Sequence, residues 1–183
     1  MRLVAFLRAI NVGGQHLVAM EELRKQFSTL GFADVATFIA SGNVIFNTRS
    51  ASGSALEKKI ETRLLKALGY EVKTFIRTEP QIAAIARYTP FTPAQLKTAA
   101  AVNVGFLAAP LSAAARKSLR SLTSALDDFH VHEREVYWLA RVRQSESKVS
   151  NGVIERTVGA PITFRGVNTV TRLVAKYGFG GNG

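Results

Sequence analysis

Apolar and polar positions along the chain switch between two spacings, and the switches mark its elements. Residues 3–10 form a nearly unbroken apolar run of strand length. Met20, Leu23, Phe27 and Leu30 then recur at helical spacing up to Gly31, with Glu21 and Glu22 in the first turn, where the helix dipole favours negative charge. Strands are predicted at 35–40 and 44–46, separated by Ser41, Gly42 and Asn43, a short hairpin signal. Ser54 and Glu57 have capping-box spacing and open a helix whose Leu56, Ile60, Leu64 and Leu68 make one stripe. Gly69 stops it, and Val72, Thr74 and Ile76 alternate through a last strand over 71–77. The order βαββαβ predicts a ferredoxin-like plait over residues 1–77.

Residues 78–177 repeat that order. Thr78 and Gln81 have capping-box spacing ahead of a helix through Ile82 and Ile85 that ends before Pro90. A strand over 99–107 leads to a helix opened by Pro110 and Ser112, carrying Leu119 and Leu122. Residues 129–132 and 136–139 read as a second hairpin, turning at 133–135. A helix near 148–158, a strand at 162–165 and a helix from Asn168, a good cap, to about Tyr177 complete the second subdomain. Residues 178–183 are expected to be a flexible tail. The halves share element order without visible residue identity. The expected fold is α+β: two ferredoxin-like subdomains packed together, with antiparallel sheets. The strands "LVAFL" and "VYWL" are apolar on both faces, so both sheets are expected to be covered on both sides. Phe38 and Phe46 would then be core, and no free platform for stacking RNA bases would remain.

Composition narrows the chemistry. The chain has 183 residues and no cysteine, which excludes disulfides, thiolate metal sites and thiol catalysis and fits a reducing cytoplasm. No apolar run approaches the ~20 residues of a membrane span, so no membrane partner is expected. The N-terminal run lacks a small-residue cleavage site and reads as a core strand rather than a signal peptide. Basic residues number 24 against 13 acidic, a net charge of +11 shared about equally by the two halves. The excess favours polyanions through the whole surface rather than a tail. The most polarised stretch, 141–176, carries seven basic residues against Glu146 and Glu155.

Several segments carry a resemblance. "LRAINVGG", "LGFADVATFIASGNVIF", the pair Pro90 and Phe91, "SK" at Ser147 and Lys148, and "NTVTRL" from Asn168 resemble the bacterial domain-of-unknown-function family 1697. The likeness spans nearly the whole chain and is most specific between Leu7 and Phe46. It implies two α/β plait subdomains, in agreement with the parse above, and brings no established activity. Two departures stand out. Ala9 replaces the glycine of the family's usual Arg-Gly-Ile-Asn, and the usual Arg-Asn-Trp-Asn-Thr-Val reads here as Arg165, Gly166, Val167, Asn168, Thr169 and Val170.

In a plait the loop after the first strand and the hairpin after the second emerge at one sheet edge. Arg8, Asn11, Gly13 and Gly14, with His16 close by, are therefore expected beside Ser41, Gly42 and Asn43. Glycine N–H groups there can cradle an anion, with Arg8 adding charge and Asn and Ser orienting it. The same glycines can also simply permit a turn. Arg165, Asn168 and Thr169, at a strand–helix junction, are added to the candidate ligand-binding set. The expected function is binding of a small anionic ligand, with nucleic-acid binding through the basic surface and an enzyme of unknown reaction as alternatives. Neither a dinucleotide fingerprint nor a P-loop is present. His130 and His132 share a strand face but lack a third ligand, so no metal and no cofactor are assigned. Ser145 and Lys148 fit S-x-x-K without its companion motifs, a chance match. The third strand, "GNVIFN", lacks the pattern of an RNA-recognition motif.

Overall fold

In the computed structural model, which describes residues 1–14, 16–50 and 53–180, the chain divides into two units. The first comprises Met1–Ile85 and the chain from Leu173 onward; the second is Ala86–Arg172.

The first unit contains β1 (Arg2–Leu7), α1 (Met20–Thr29), β2 (Ala33–Thr37), β3 (Asn43–Asn47), α2 (Ser54–Leu68), β4 (Thr74–Thr78) and most of α3 (Glu79–Arg87). Its sheet is antiparallel in the order β2-β3-β1-β4, the ferredoxin-like arrangement. The helical stripes work as their spacing requires: Leu23, Phe27, Leu56, Ile60 and Leu64 bury against Leu3, Ala5, Leu7, Val44, Phe46 and Ile76. Val4, Phe6, Ile45 and Phe75, on the other face of the sheet, are buried as well, so neither face offers an exposed aromatic platform. Phe38 is also buried, edge-on to Tyr177.

The capping box at Thr78 and Gln81 forms in both directions, at 2.9 and 3.4 Å. The one expected at Ser54 and Glu57 does not. Gly53 is the N-cap, Ser54 is already helical, and buried Glu57 instead accepts the Ile76 N–H at 2.9 Å. The cause is strand topology: β4 is an edge strand, and its outward N–H groups need acceptors. At the opposite edge β2 bulges around Asp34 (φ 50°), whose carboxylate accepts from Asn47 Nδ2 at 2.6 Å.

The second unit contains α4 (Pro93–Thr98), β5 (Ala101–Phe106), α5 (Ala113–Arg120), β6 (Asp127–His132), β7 (Glu135–Ala140), α6 (Asn151–Val158), β8 (Thr163–Gly166) and the start of α7 (Val167–Tyr177). Its sheet repeats the order as β6-β7-β5-β8. Ser112 caps α5 as expected, accepting from the Ala115 N–H. The short α4, absent from the periodicity, is opened by a full capping box between Thr92 and Gln95. Asn168 is not a cap: α7 begins at Val167 directly from β8, so Asn168 lies in its first turn. Among the core contacts, Phe164 lies over Gly105, where an added Cβ would stand 2.6 Å from the ring. Only glycine permits that approach.

Strand register exposes an identity between the halves that a straight reading misses. Matching the strand pairings sets Val4, Phe6 and Leu7 against Val104, Phe106 and Leu107, Val44 against Val136, and Arg77 against Arg165. The hydrogen bond from Leu7 N–H to Gly42 O, 2.8 Å, recurs as Leu107 N–H to Arg134 O, 2.9 Å. Loops of different length shift the offset from strand to strand, which hides the repeat from any ungapped comparison.

The tail expected from residue 178 is anchored at Phe179, which is buried, contacts Tyr177 and lies under the Arg2 guanidinium at 4.6 Å. Residues 181–183 of that tail lie outside the described residues, as does Gln15 of the loop after β1. No helix among the described residues is long and apolar enough to cross a membrane.

Candidate functional site

The plait order brings the β1–α1 loop and the β2–β3 turn together. Leu7 N–H donates to Gly42 O, and the Asn11 carboxamide joins three backbone groups. Its Nδ2 donates to Val18 O and Ala40 O, both at 3.1 Å, while its Oδ1 accepts from Val18 N–H at 2.7 Å. Asn11 itself sits at φ 55°, a left-handed conformation that asparagine tolerates better than most residues. Asn43 is fully buried and donates to Phe38 O and Ser41 Oγ, both at 2.9 Å. Gly42, at φ 72°, fits because a Cβ there would lie 3.0 Å from Leu7 Cβ and 3.1 Å from Ile10 Cβ.

These bonds change the roles expected of the residues. Asn11, Ser41 and Asn43 hold the turns, and their side chains are committed to protein groups. What faces solvent is the tip. Gly13 and Gly14 are exposed at φ 58° and 74°, and neither N–H has an acceptor among the described residues. The loop is closed behind them by Asn11 N–H donating to His16 O, 3.3 Å, and by the His16 ring on Tyr70 at 4.1 Å. Burial pushes the Tyr70 hydroxyl above its ordinary pKa, keeping it a neutral donor to His16 O. Tyr70 has no sequence signal, because it follows the C-terminus of α2 and meets the loop only through the fold. Arg8 is half-buried in the turn, its N–H bonded to Lys73 O. The start of α1 is not part of a cradle: it begins six residues beyond Gly14, with Glu21 and Glu22 in its first turn.

The other candidates lie on β8 and α7. Arg165 donates from Nη1 to Thr163 Oγ1, 2.9 Å, and to Phe164 O, 2.8 Å, and burial lowers its pKa to about 10, so it stays cationic at neutral pH. Asn168 is exposed and Thr169 half-buried. His130 and His132 share the face of β6, where Tyr88 stacks on His132 at 4.1 Å and its hydroxyl lies 2.8 Å from His130 Nε2. No group of three or more His, Asp or Glu positioned for a metal occurs among the described residues. Ser145 and Lys148 of the S-x-x-K match are both exposed, and Ser147 between them is tied to Asp127 Oδ2, 3.1 Å, as a structural hydroxyl.

A family model described as protein of unknown function, DUF1697, matches residues 1–137. A solved structure of a conserved bacterial protein from Streptococcus pneumoniae aligns with a TM-score of 0.72 over 94% of this chain and 96% of that one. The two are 22% identical, so the likeness is one of fold. No curated protein matches the chain.

Proposed function

The chain belongs to the DUF1697 family, and from that premise we propose that it binds a small anion at the tip of the β1–α1 loop. One observation carries the reading: the adjacent, exposed N–H groups of Gly13 and Gly14 lack acceptors among the described residues, at the tip of a loop pinned on either side by the bonded N–H groups of Arg8, Asn11 and Val18. Adjacent N–H groups held in a fixed turn attract anions, and holding them in advance lowers the entropic cost of binding. Asn11, Ser41, Gly42 and Asn43 act as positioning residues, while Arg8 adds positive charge near the turn. The net charge of +11 raises the local concentration of any anion. The absence of cysteine supports a reducing compartment, the cytoplasm. Nucleic acid is less favoured as the ligand, since the strand aromatics that stack bases in RNA-binding plaits are buried here.

Titrating inorganic phosphate at constant ionic strength, followed by amide NMR, tests the reading. Saturable shifts centred on Gly13 and Gly14 are expected, with affinity reduced severalfold in Asn11→Ala. Shifts confined to surface lysine and arginine segments, or equal in chloride, would overturn it.

A further inference from the structure

A different cleft, of about 390 Å³, opens on the helix-covered face of the second sheet. We infer that it binds a planar heteroaromatic ring bearing an anionic group, the build of a nucleoside monophosphate. The volume falls within the roughly 300–1,000 Å³ usual for small-molecule sites.

The cleft follows from β5. Alternation along that strand puts Asn103 and Gly105 on the same face. Because Gly105 lacks a Cβ, the Phe164 ring lies across it, edge-on to Trp138 at 5.8 Å. Trp138 is wholly buried and fixed by donating from Nε1 to Asp127 Oδ1 at 2.8 Å. The half-buried Phe164 is thus the open face of a rigid aromatic floor.

Polar groups stand around that floor. Asn103, half-buried on a central strand, has no hydrogen-bond partner for its carboxamide among the described residues. Its amide atoms are not sealed in the core but line the cleft, where a ligand can reach both. One amide donor beside one acceptor matches the edge of a nucleobase. Gln144 Nε2 donates to Asn151 Oδ1 at 3.0 Å, leaving a second acceptor and a second donor on the rim. Arg143 supplies the charge; its exposed guanidinium has no ion-pair partner among the described residues, and no acidic side chain lines the cleft. Guanidinium geometry suits a phosphate. Every one of these residues belongs to Ala86–Arg172.

Trp138 is the chain's single tryptophan, so its emission reports on the cleft directly. The full-length protein is titrated with each ribonucleoside monophosphate, the matching nucleosides and inorganic phosphate. At least one monophosphate is expected to change the emission saturably, binding about tenfold or more tighter than its nucleoside or phosphate alone. Asn103→Ala is expected to weaken monophosphate and nucleoside alike by about tenfold. Arg143→Ala, at an exposed position that leaves the fold intact, is expected to bring the monophosphate down to the nucleoside's affinity and leave the nucleoside unchanged. No saturable response to any monophosphate, phosphate binding as tightly as the monophosphate, or a response indifferent to Arg143→Ala would overturn the inference.

Discussion

Glu57 Oε1 accepts the backbone N–H of Ile76 at 2.9 Å, and one helical turn later Glu61 Oε1 accepts the N–H of Thr74 at 3.0 Å. Four residues of helix advance about 6 Å, close to two residues of strand, so two carboxylates on one face of α2 can serve alternate amides of β4. The second plait uses the same device, with Glu155 accepting from Ile162 N–H at 2.8 Å. These glutamates close sheet edges that would otherwise present bare donors.

Glu57→Ala is therefore expected to cost about 1–3 kcal/mol, because it leaves a buried donor unsatisfied. Glu57→Gln keeps an acceptor oxygen and is expected to cost less than about 1 kcal/mol. Urea denaturation, with unchanged m-values and shifted midpoints, measures both.

Gly42 and Gly13 both have positive φ but differ in surroundings. Gly42→Ala meets Leu7 and Ile10 at 3.0–3.1 Å, whereas nothing lies within 4 Å of a Cβ on Gly13. Gly42→Ala is expected to destabilise by about 3 kcal/mol, strain and crowding together. Gly13→Ala is expected to cost about 1 kcal/mol, the conformational part alone. Equal shifts in thermal midpoint would contradict this account of the hairpin.

His130 gives the fold a pH dependence with a definite sign. Burial, then the neighbouring His132, lowers its pKa below the ordinary value of about 6.5. The unfolded chain therefore takes up this proton more readily than the folded one. Stability from His130 is fully present above that ordinary value and is lost as pH falls from it through the lowered folded value. Thermal midpoints of the wild type and His130→Gln, compared between pH 5 and 8, are expected to differ in slope within that window and to run parallel above it.

The alternation of apolar positions was enough to recover both plaits, because each strand and helix stripe is long and its period unambiguous. What escaped depended on partners distant in sequence. Glu57 has capping-box spacing, but its acceptor was claimed by Ile76, nineteen residues on. Asn168 reads as a cap only if a loop precedes α7, and β8 runs straight into the helix. The meeting of the Asn11 loop with the Ser41–Asn43 turn was legible from topology, whereas the commitment of the Asn11 carboxamide to Val18 and Ala40 was not. Asn103 carried a usable signal, a polar residue inside an apolar strand, and register was needed to set it opposite Trp138.

The bulge at Asp34 has a consequence for the protein in concentrated solution. It breaks the even spacing of amides along the exposed rim of β2, and a negatively charged side chain sits at the break. A second copy offering a straight strand would find its donors and acceptors out of step there. That rim is therefore a poor template for edge-to-edge pairing with another strand.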